Sequence, residues 1–222
     1  MLDTISTPPM QGYDQADDDG GFRPHIVGIG GTTRIGSSSE TALRCTLGLI
    51  AGMGATTELI VGPLLDLPMY DPSDEHRSPS ARRLVQSLRR ADGIIIATPA
   101  YHGGMSGVIK NALDYVEDMR ADQRPYFDGR AVGIVVSAFG AQALGTTLVG
   151  VRSVVHALRG WPTPFAAALN SQNRPFENGM PSNAEVAGQL ETVARQVYGF
   201  ALAQRVMREG RDASLRLAAV GA

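Results

Sequence analysis

Two short runs of the chain are apolar from end to end, and they constrain the fold more than any other feature. Residues 93–98 read Gly-Ile-Ile-Ile-Ala-Thr, and residues 131–137 read Ala-Val-Gly-Ile-Val-Val-Ser. A strand with one face in water alternates apolar and polar residues, whereas a strand covered on both faces is apolar throughout. These runs therefore predict a parallel sheet with helices packed on both faces.

The rest of the chain alternates between strand-like and helix-like segments. The further predicted strands are Ile26–Gly30, Thr56–Val61 and a weaker Phe165–Asn170. The predicted helices are Ser39–Met53, Ser80–Arg90 with Ser78 as a cap, Val108–Met119, Thr146–Leu158 and Asn183–Glu209. Five such units with right-handed crossovers fit one domain of about 200 residues, so we expect a doubly wound α/β sheet.

Composition excludes several classes of protein. The 222 residues carry a formal net charge of −2, which argues against a nucleic-acid surface. No segment approaches the roughly 20 apolar residues that cross a bilayer, and the N-terminus has no secretory pattern, so we expect a cytoplasmic protein. The single cysteine, Cys45, argues against a disulfide framework, a zinc cluster or a protein-ligated iron–sulfur centre. No metal site is predicted.

The first 23 residues differ in composition from the rest of the chain. They contain five Asp and one Arg, a charge of −4, which leaves +2 for residues 24–222 of a chain whose total is −2. The segment has few apolar residues and no periodicity, so it is predicted to be a disordered acidic arm. An arm that embraces a partner subunit is the alternative.

The segment after the first strand is suited to binding a phosphate group. Residues 28–39 read Gly-Ile-Gly-Gly-Thr-Thr-Arg-Ile-Gly-Ser-Ser-Ser, and a helix follows. Glycines allow close approach, hydroxyls donate, and a helix N-terminus offers free N–H groups. The nucleotide P-loop motif fails because Ser37 replaces its lysine, and the dinucleotide motif fails at Thr33. A monophosphate site remains, with a simple glycine-rich turn as the alternative.

Two more unusual segments follow the third and fourth predicted strands. Residues 98–107 are rich in glycine, and residues 137–145 are mostly small. In a doubly wound sheet, ligands bind outside the carboxyl ends of the strands, where these segments meet. A phosphate site beside two segments that admit a flat ring suggests FMN.

With these motifs the sequence resembles the NAD(P)H-dependent FMN reductases, a family that includes quinone, azo and chromate reductases. The resemblance covers about residues 25–170 and rests on Gly31–Ser37, on Leu-Pro-Met-Tyr-Asp at 67–71 and above all on residues 99–115. It implies a flavodoxin-like fold, with a five-stranded parallel sheet in the order 2-1-3-4-5 and helices on both faces. Residues 24–222 are then a single FMN-binding domain.

The resemblance also implies which residues bind the cofactor. Those expected at the FMN phosphate are Thr32, Arg34, Ser37 and Ser39; those expected at the isoalloxazine are Pro99, Ala100, Tyr101, His102 and Gly103, with Ser137 and Gly140 on the other wall. The sequence departs from the family pattern at Ser39, where Asn is frequent, at Ala100, where a larger residue is common, and at Ala138-Phe139, which replace smaller residues. The change at Ala138-Phe139 is expected either to narrow the side of the site where the electron acceptor binds or to place an aromatic ring against the flavin.

The implied activity is the passage of hydride from NADPH or NADH to FMN and then to a small-molecule acceptor, with ping-pong kinetics. No catalytic side chain is assigned, because the flavin carries the chemistry; backbone N–H groups of residues 101–104 are the expected stabilisers of flavin charge. The resemblance further implies a homodimer or homotetramer, with Tyr70, Tyr115 and Met119 either in the interface or in the core.

Two other functions stay open from the sequence. One is an electron carrier of the flavodoxin type, although such carriers are usually strongly acidic and residues 24–222 carry about +2. The other is a non-redox ligand-binding or regulatory protein on the same fold. Within the enzyme class, FMN is either a tightly bound cofactor or is released reduced to a flavin-dependent monooxygenase.

Overall fold

A parallel sheet forms the centre of the computed structural model, which describes residues 21–220 and side chains as far as residue 210. Most of the predicted acidic arm, residues 1–20, lies outside the described residues. The long strands are β1 (His25–Gly30), β2 (Thr56–Val61), β3 (Gly93–Tyr101) and β5 (Ala131–Ala138). They pair in parallel in the order β2-β1-β3-β5, which confirms the predicted doubly wound arrangement.

Helices cover both faces of the sheet, as the apolar strands predicted. They are α1 (Ser38–Gly52), α2 (Pro79–Arg90), α3 (Gly107–Asp114), α4 (Ala141–Ala157) and α5 (Ala184–Val220). Short 3₁₀ helices lie at Gly62–Leu65, Tyr115–Met119 and Ser171–Asn173. Ser78 caps α2 through its hydroxyl, as predicted. The structure begins α4 at Ala141 and not at the predicted Thr146, because residues 141–145, whose small side chains predicted a loop, are helical with Gly140 as the N-cap.

The core is divided by the sheet into two apolar clusters. Ile94 and Ile96 of β3 pack on the side of α2, α3 and α4, whereas Ile95 and Ala97 pack on the side of α1 and α5. All four side chains are fully buried. The continuous apolar pattern of this strand thus follows directly from its position between two helical layers.

The fifth position in the sheet is occupied by two short strands rather than one. Beside β5 lie β6 (Trp161–Pro162) and β7 (Ala167–Asn170), both parallel to it. The predicted strand began at Phe165, but the Phe165 amide donates to Gln196 Oε1 of α5 and not to β5. Pro164 has no N–H to offer the ladder, so the chain bulges between the two pieces.

The segment after β3 folds back as a β-hairpin. Strand β4 (Gly104–Met105) pairs with β3 in antiparallel fashion, with Tyr101 opposite Gly104. A second small hairpin joins β8 (Phe176–Glu177) to β9 (Met180–Pro181). Within the described residues, no helix is long and apolar enough to cross a membrane.

Candidate functional site

Three segments meet at the carboxyl edge of the sheet and form the candidate site. They are residues 31–37 after β1, the hairpin 99–105 at the end of β3, and residues 138–140 after β5. β1, β3 and β5 are adjacent, and the Gly31 amide donates to the Ala97 carbonyl at 3.1 Å. The fold therefore brings the three segments that sequence reasoning selected to one edge of the sheet.

The serines at the start of α1 cap the helix. Ser37 is the N-cap residue, and its Oγ accepts a hydrogen bond from the Glu40 amide at 3.3 Å. The Oγ atoms of Ser37 and Ser39 lie 3.3 Å apart, and both residues are almost fully buried. Two of the predicted phosphate ligands thus lie together, with their hydroxyls bonded to each other and Ser37 committed to the helix end.

Other donors in the same loop are available to an anion. The backbone amides of residues 37–39 have no acceptor within the described part of the chain, and they lie at the N-terminus of a 15-residue helix. Arg34 is exposed, and its guanidinium makes no hydrogen bond or ion pair with a described residue. Thr32 instead shapes the loop, since its hydroxyl accepts from the Arg34 amide at 3.0 Å.

A buried carboxylate, which the sequence interpretation missed, holds this loop. Glu40 is 2 % exposed; its Oε2 accepts from the Gly36 amide at 2.9 Å, and its Oε1 accepts from Arg44 Nε at 2.9 Å. Gly36 adopts φ +76°, a left-handed conformation that favours glycine. The spacing Ser37-x-x-Glu40 is that of a capping box, so a search for helix starts could have found this residue.

The hairpin after β3 presents two consecutive amides at its tip. His102 (φ 53°) and Gly103 (φ 82°) form the two-residue turn, and neither amide has an acceptor among residues 21–220. Two positive φ values in succession are typical of a type I′ turn. The sequence predicted exposed N–H groups in this segment, but as an irregular loop; the hairpin confines them to the turn.

Side chains around the hairpin differ in their exposure. Tyr101 is 55 % exposed and His102 is also exposed, whereas Pro99 is half-buried and Ala100 packs against the apolar core. A Cβ placed on Gly103 would lie 3.3 Å from Thr146 Oγ1, so the turn lies close to α4. The contact with Thr146 is long-range, and no local sequence signal predicts it.

The third segment offers one buried hydroxyl without a partner. Ser137 pairs with Pro99 across the ladder, is 4 % exposed, and its Oγ has no hydrogen-bond partner in the described structure. Ala138 is buried, while Phe139 is 72 % exposed and Gly140 is exposed as the N-cap of α4. A buried unpaired hydroxyl is uncommon in a folded core and is consistent with a ligand partner.

The segment 67–77 is fixed against α3 and the turn that follows it. Asn111 accepts from the Tyr70 amide at 2.8 Å and donates to the Pro68 carbonyl at 2.9 Å. Arg77 forms a two-pronged ion pair with Asp118, which raises the pKa of its guanidinium. The Tyr70 and Tyr115 rings meet edge to face at 5.2 Å. Tyr115 is thus a core residue.

Of the three residues weighed for an interface, two belong to the core. Tyr115 is 3 % exposed and Met119 is fully buried within this chain. Tyr70 is half-buried.

The open groups at this edge fit FMN. Unpaired amides and Arg34 at the start of α1 suit a phosphate monoester, while the hairpin amides and the Ser137 hydroxyl suit the nitrogens and carbonyls of a planar ring. Among the described residues, no group of three or more His, Cys, Asp and Glu side chains is arranged to hold a metal ion.

Comparison with solved structures identifies the fold. The flavoenzyme NAD(P)H:acceptor oxidoreductase FerB from Paracoccus denitrificans superposes with a TM-score of 0.68 at 17 % identity, covering 82 % of this chain and 98 % of that one. A WrbA-like flavodoxin from Agrobacterium tumefaciens gives 0.54 at 16 % identity, covering 81 % and 98 %. The fold is therefore flavodoxin-like, as predicted.

Sequence comparison then identifies the family. The family model of NADPH-dependent FMN reductases matches residues 24–174, so the chain belongs to this family, as its motifs indicated. It is 32 % identical over 118 residues to an NAD(P)H-dependent FMN reductase of Pseudomonas aeruginosa, covering 52 % of this chain and 60 % of the relative. An FMN-dependent NADPH-azoreductase of Staphylococcus aureus is 29 % identical over 109 residues, covering 49 % and 54 %. The aligned segments span little more than half of these relatives.

Proposed function

We propose that this protein is an FMN-dependent NAD(P)H oxidoreductase that reduces small-molecule acceptors. The observation that carries the proposal is that three kinds of unpaired group lie at one edge of the sheet: hydrogen-bond donors suited to a phosphate, the hairpin amides and the buried Ser137 hydroxyl. The chain that carries them belongs to the NADPH-dependent FMN reductase family. When bound there, FMN would supply the hydride chemistry between a nicotinamide donor and the acceptor.

The proposed roles of the residues follow from their chemistry. Arg34 and the amides of residues 37–39 would bind the phosphate, with the N-terminus of α1 adding a positive partial charge. The amides of His102 and Gly103 would donate to the ring and stabilise negative charge on it, while Ser137 would contact its other side. Thr32, Ser37 and Ser39 would hold the loop in shape; Pro99, Ala100 and Gly140 would form the backbone walls.

We further propose that residues 24–222 make up one FMN-binding domain and that the protein acts as a homodimer or homotetramer. The acceptor would be a free flavin, a quinone, an azo compound or a metal ion. A flavin-dependent monooxygenase would be the recipient if reduced FMN is released.

The kinetic order of the two substrates tests the proposed mechanism. We propose that donor and acceptor bind in turn at one place, beside the exposed side chains of Tyr101 and Phe139. Initial rates over a grid of NADPH and quinone concentrations should therefore give parallel double-reciprocal lines. Intersecting lines would show that both substrates bind together and would contradict binding in turn at one place. Repeating the grid with an azo dye, free FMN and a ferric chelate ranks the acceptor classes.

A further inference from the structure

A cleft rich in arginine lies at the end of the sheet opposite the candidate flavin site. It has a volume of about 280 Å³ and is lined by Arg89, Asp122, Gln123, Arg124 and Arg130. Arg89 lies in the last turn of α2, and Arg130 immediately precedes β5, so both lie at the amino edge of the sheet. The length of β3 separates the two edges by about 26 Å at about 3.3 Å per residue. The cleft is thus distinct from the flavin site.

Two carboxylates in this region, Asp122 and Asp92, are each paired with an arginine. Asp122 Oδ2 accepts from Arg89 Nε at 2.8 Å. Asp92 accepts from Arg208 Nη2 of α5 at 3.2 Å through Oδ1 and from the His25 amide at 3.0 Å through Oδ2. The two carboxylates are therefore already committed to Arg89 and Arg208.

Arg130 contributes a positive charge without a carboxylate partner. It is 1 % exposed, and its guanidinium donates to the carbonyl oxygens of Ala91, Tyr126 and Arg89 at 2.8–2.9 Å. Burial, and secondarily the charge of Arg124, lowers the pKa of Arg130 to about 10, so it remains charged at neutral pH. Carbonyl dipoles hold this cation in place, while Asp92 and Asp128 attract it without forming an ion pair with it.

Arg124 has a buried hydrogen-bond donor that finds no acceptor in the described structure. Its Nη2 is buried and has no acceptor among the described residues, and the same is true of Arg208 Nε. Asp128, the third acidic residue nearby, is exposed and makes no ion pair with Arg124. A buried donor on a charged group that finds no acceptor destabilises the folded chain. This destabilisation is relieved when an anion supplies the acceptor.

We propose that this cleft binds the phosphate group of a small ligand, which accepts hydrogen bonds from Arg124 and is attracted by the charge of Arg130. A guanidinium fork matches a tetrahedral oxyanion, and an excess of arginine over free carboxylate favours a multiply charged one. The same chemistry would recognise inorganic phosphate or the monophosphate of a nucleotide.

The proposal is tested by thermal unfolding of the full chain, with FMN in excess so that the added anion cannot act at the start of α1. Inorganic phosphate and AMP are titrated in parallel, with chloride adjusted to hold the ionic strength constant. We expect a saturable rise in Tm with phosphate. A rise with AMP as well assigns the site to phosphate monoesters, whereas phosphate alone assigns it to the free anion. If neither raises the Tm, the proposal is wrong.

Arg124→Gln and a matched control assign the effect to the cleft. Arg124→Gln removes the unpaired charge and should weaken the apparent phosphate affinity at least about tenfold. Arg120→Gln, four positions earlier on an exposed side chain with only a 3.6 Å pair to Glu117, should leave the affinity unchanged. An equal loss of phosphate affinity in Arg124→Gln and Arg120→Gln would indicate a general effect of net charge. It would overturn the assignment of phosphate binding to the cleft.

The same variant gives a second readout without any ligand. Because Arg124→Gln removes a buried unpaired donor, its Tm in phosphate-free buffer should equal or exceed that of the wild type. A clearly lower Tm, or failure to fold, would show that the guanidinium has a structural role in the free protein, and it would contradict the site.

Discussion

At the scale of single residues, Glu40 shows how the candidate phosphate loop is held. Its buried carboxylate accepts the Gly36 amide, while Arg44 neutralises it from the other side at 2.7 Å. The loop would otherwise have to hold a left-handed Gly36 without an acceptor for its N–H. We interpret Glu40 as a positioning residue for the phosphate and not as a ligand.

Glu40→Ala should therefore weaken FMN affinity about tenfold, the scale of one lost hydrogen bond in the loop, while leaving riboflavin affinity unchanged, because riboflavin lacks the phosphate. Glu40→Gln keeps an acceptor for the Gly36 amide and should recover most of the FMN affinity. Fluorescence titration of the apoprotein with each flavin measures this. Equal weakening of both flavins would mean that the substitution damages the whole site.

Arg34 is an exposed side chain in the loop before α1, where the proposed function places the phosphate. Arg34→Ala should weaken FMN binding about tenfold to a hundredfold, the range expected when one charged hydrogen bond is lost. Arg83→Ala, on the exposed face of α2 beside Glu58, is the matched control and should bind FMN normally. Unchanged affinity in Arg34→Ala would remove Arg34 from the phosphate site.

Cys45 is expected to be a poorly reactive thiol. Partial burial raises its pKa, and its Sγ donates to the Gly179 carbonyl at 3.4 Å. Because only the thiolate is nucleophilic, a raised pKa means less thiolate at pH 8 than in a free thiol. Alkylation by iodoacetamide should be slower than that of glutathione at pH 8 and should still be accelerating as the pH passes 9. Rapid alkylation at pH 7 would contradict this interpretation.

At the scale of elements, the sheet and its helices could be predicted from the sequence. The hairpin after β3 and the division of the fifth strand could not be predicted in full. The apolar runs at 93–98 and 131–137 reflect burial on both faces, a constraint that each run carries in its own residues. The hairpin at 99–105 depends on pairing within a glycine-rich segment that also suits an irregular loop. The division of the fifth strand depends both on Pro164, which the sequence shows, and on Gln196, which is distant in sequence and accepts the Phe165 amide.

Two glycines in these elements should respond in opposite directions to alanine. A Cβ on Gly133 of β5 would lie 2.6 Å from Val193 Cγ1 of α5, so Gly133→Ala should lower the free energy of unfolding by about 1–3 kcal/mol. Gly150 of α4 has no atom within 4 Å of such a Cβ, so Gly150→Ala should raise it by about 0.5–1 kcal/mol. Urea denaturation measures both. If the free energy of unfolding of Gly133→Ala equals that of the wild type, α5 packs less tightly on the sheet than the structure shows.

At the scale of the whole molecule, the two edges of the sheet have different chemistry. The carboxyl edge presents backbone donors with Arg34, where the candidate flavin site lies; the amino edge presents a group of arginines around Arg124, of which Arg130 is buried. The first edge was predictable because glycine, serine and arginine follow strands in sequence. The second was not, because its arginines come from three segments that only the folded chain brings together: Arg89 from α2, Arg124 and Arg130 from the connection before β5, and Arg208 from α5.

The same difference explains why the sequence indicated some of the candidate residues but not the contacts that others make within the chain. Arg34, His102 and Gly103 lie in loops whose composition already indicated a ligand. Ser37 and Ser39, which the sequence predicts at the phosphate, have hydroxyls that are bonded to each other at the capped end of α1. Helix capping and phosphate binding use the same residue types, so composition alone does not separate them.

The central claim is that the carboxyl edge binds FMN and allows a nicotinamide to reduce it. The most direct measurement is the visible spectrum of the FMN-loaded protein under anaerobic conditions, before and after addition of NADPH or NADH. We predict that the flavin band bleaches within the turnover time and returns when a quinone is added. A band that persists with both nicotinamides and bleaches only with dithionite would contradict the claim and would indicate an electron carrier instead.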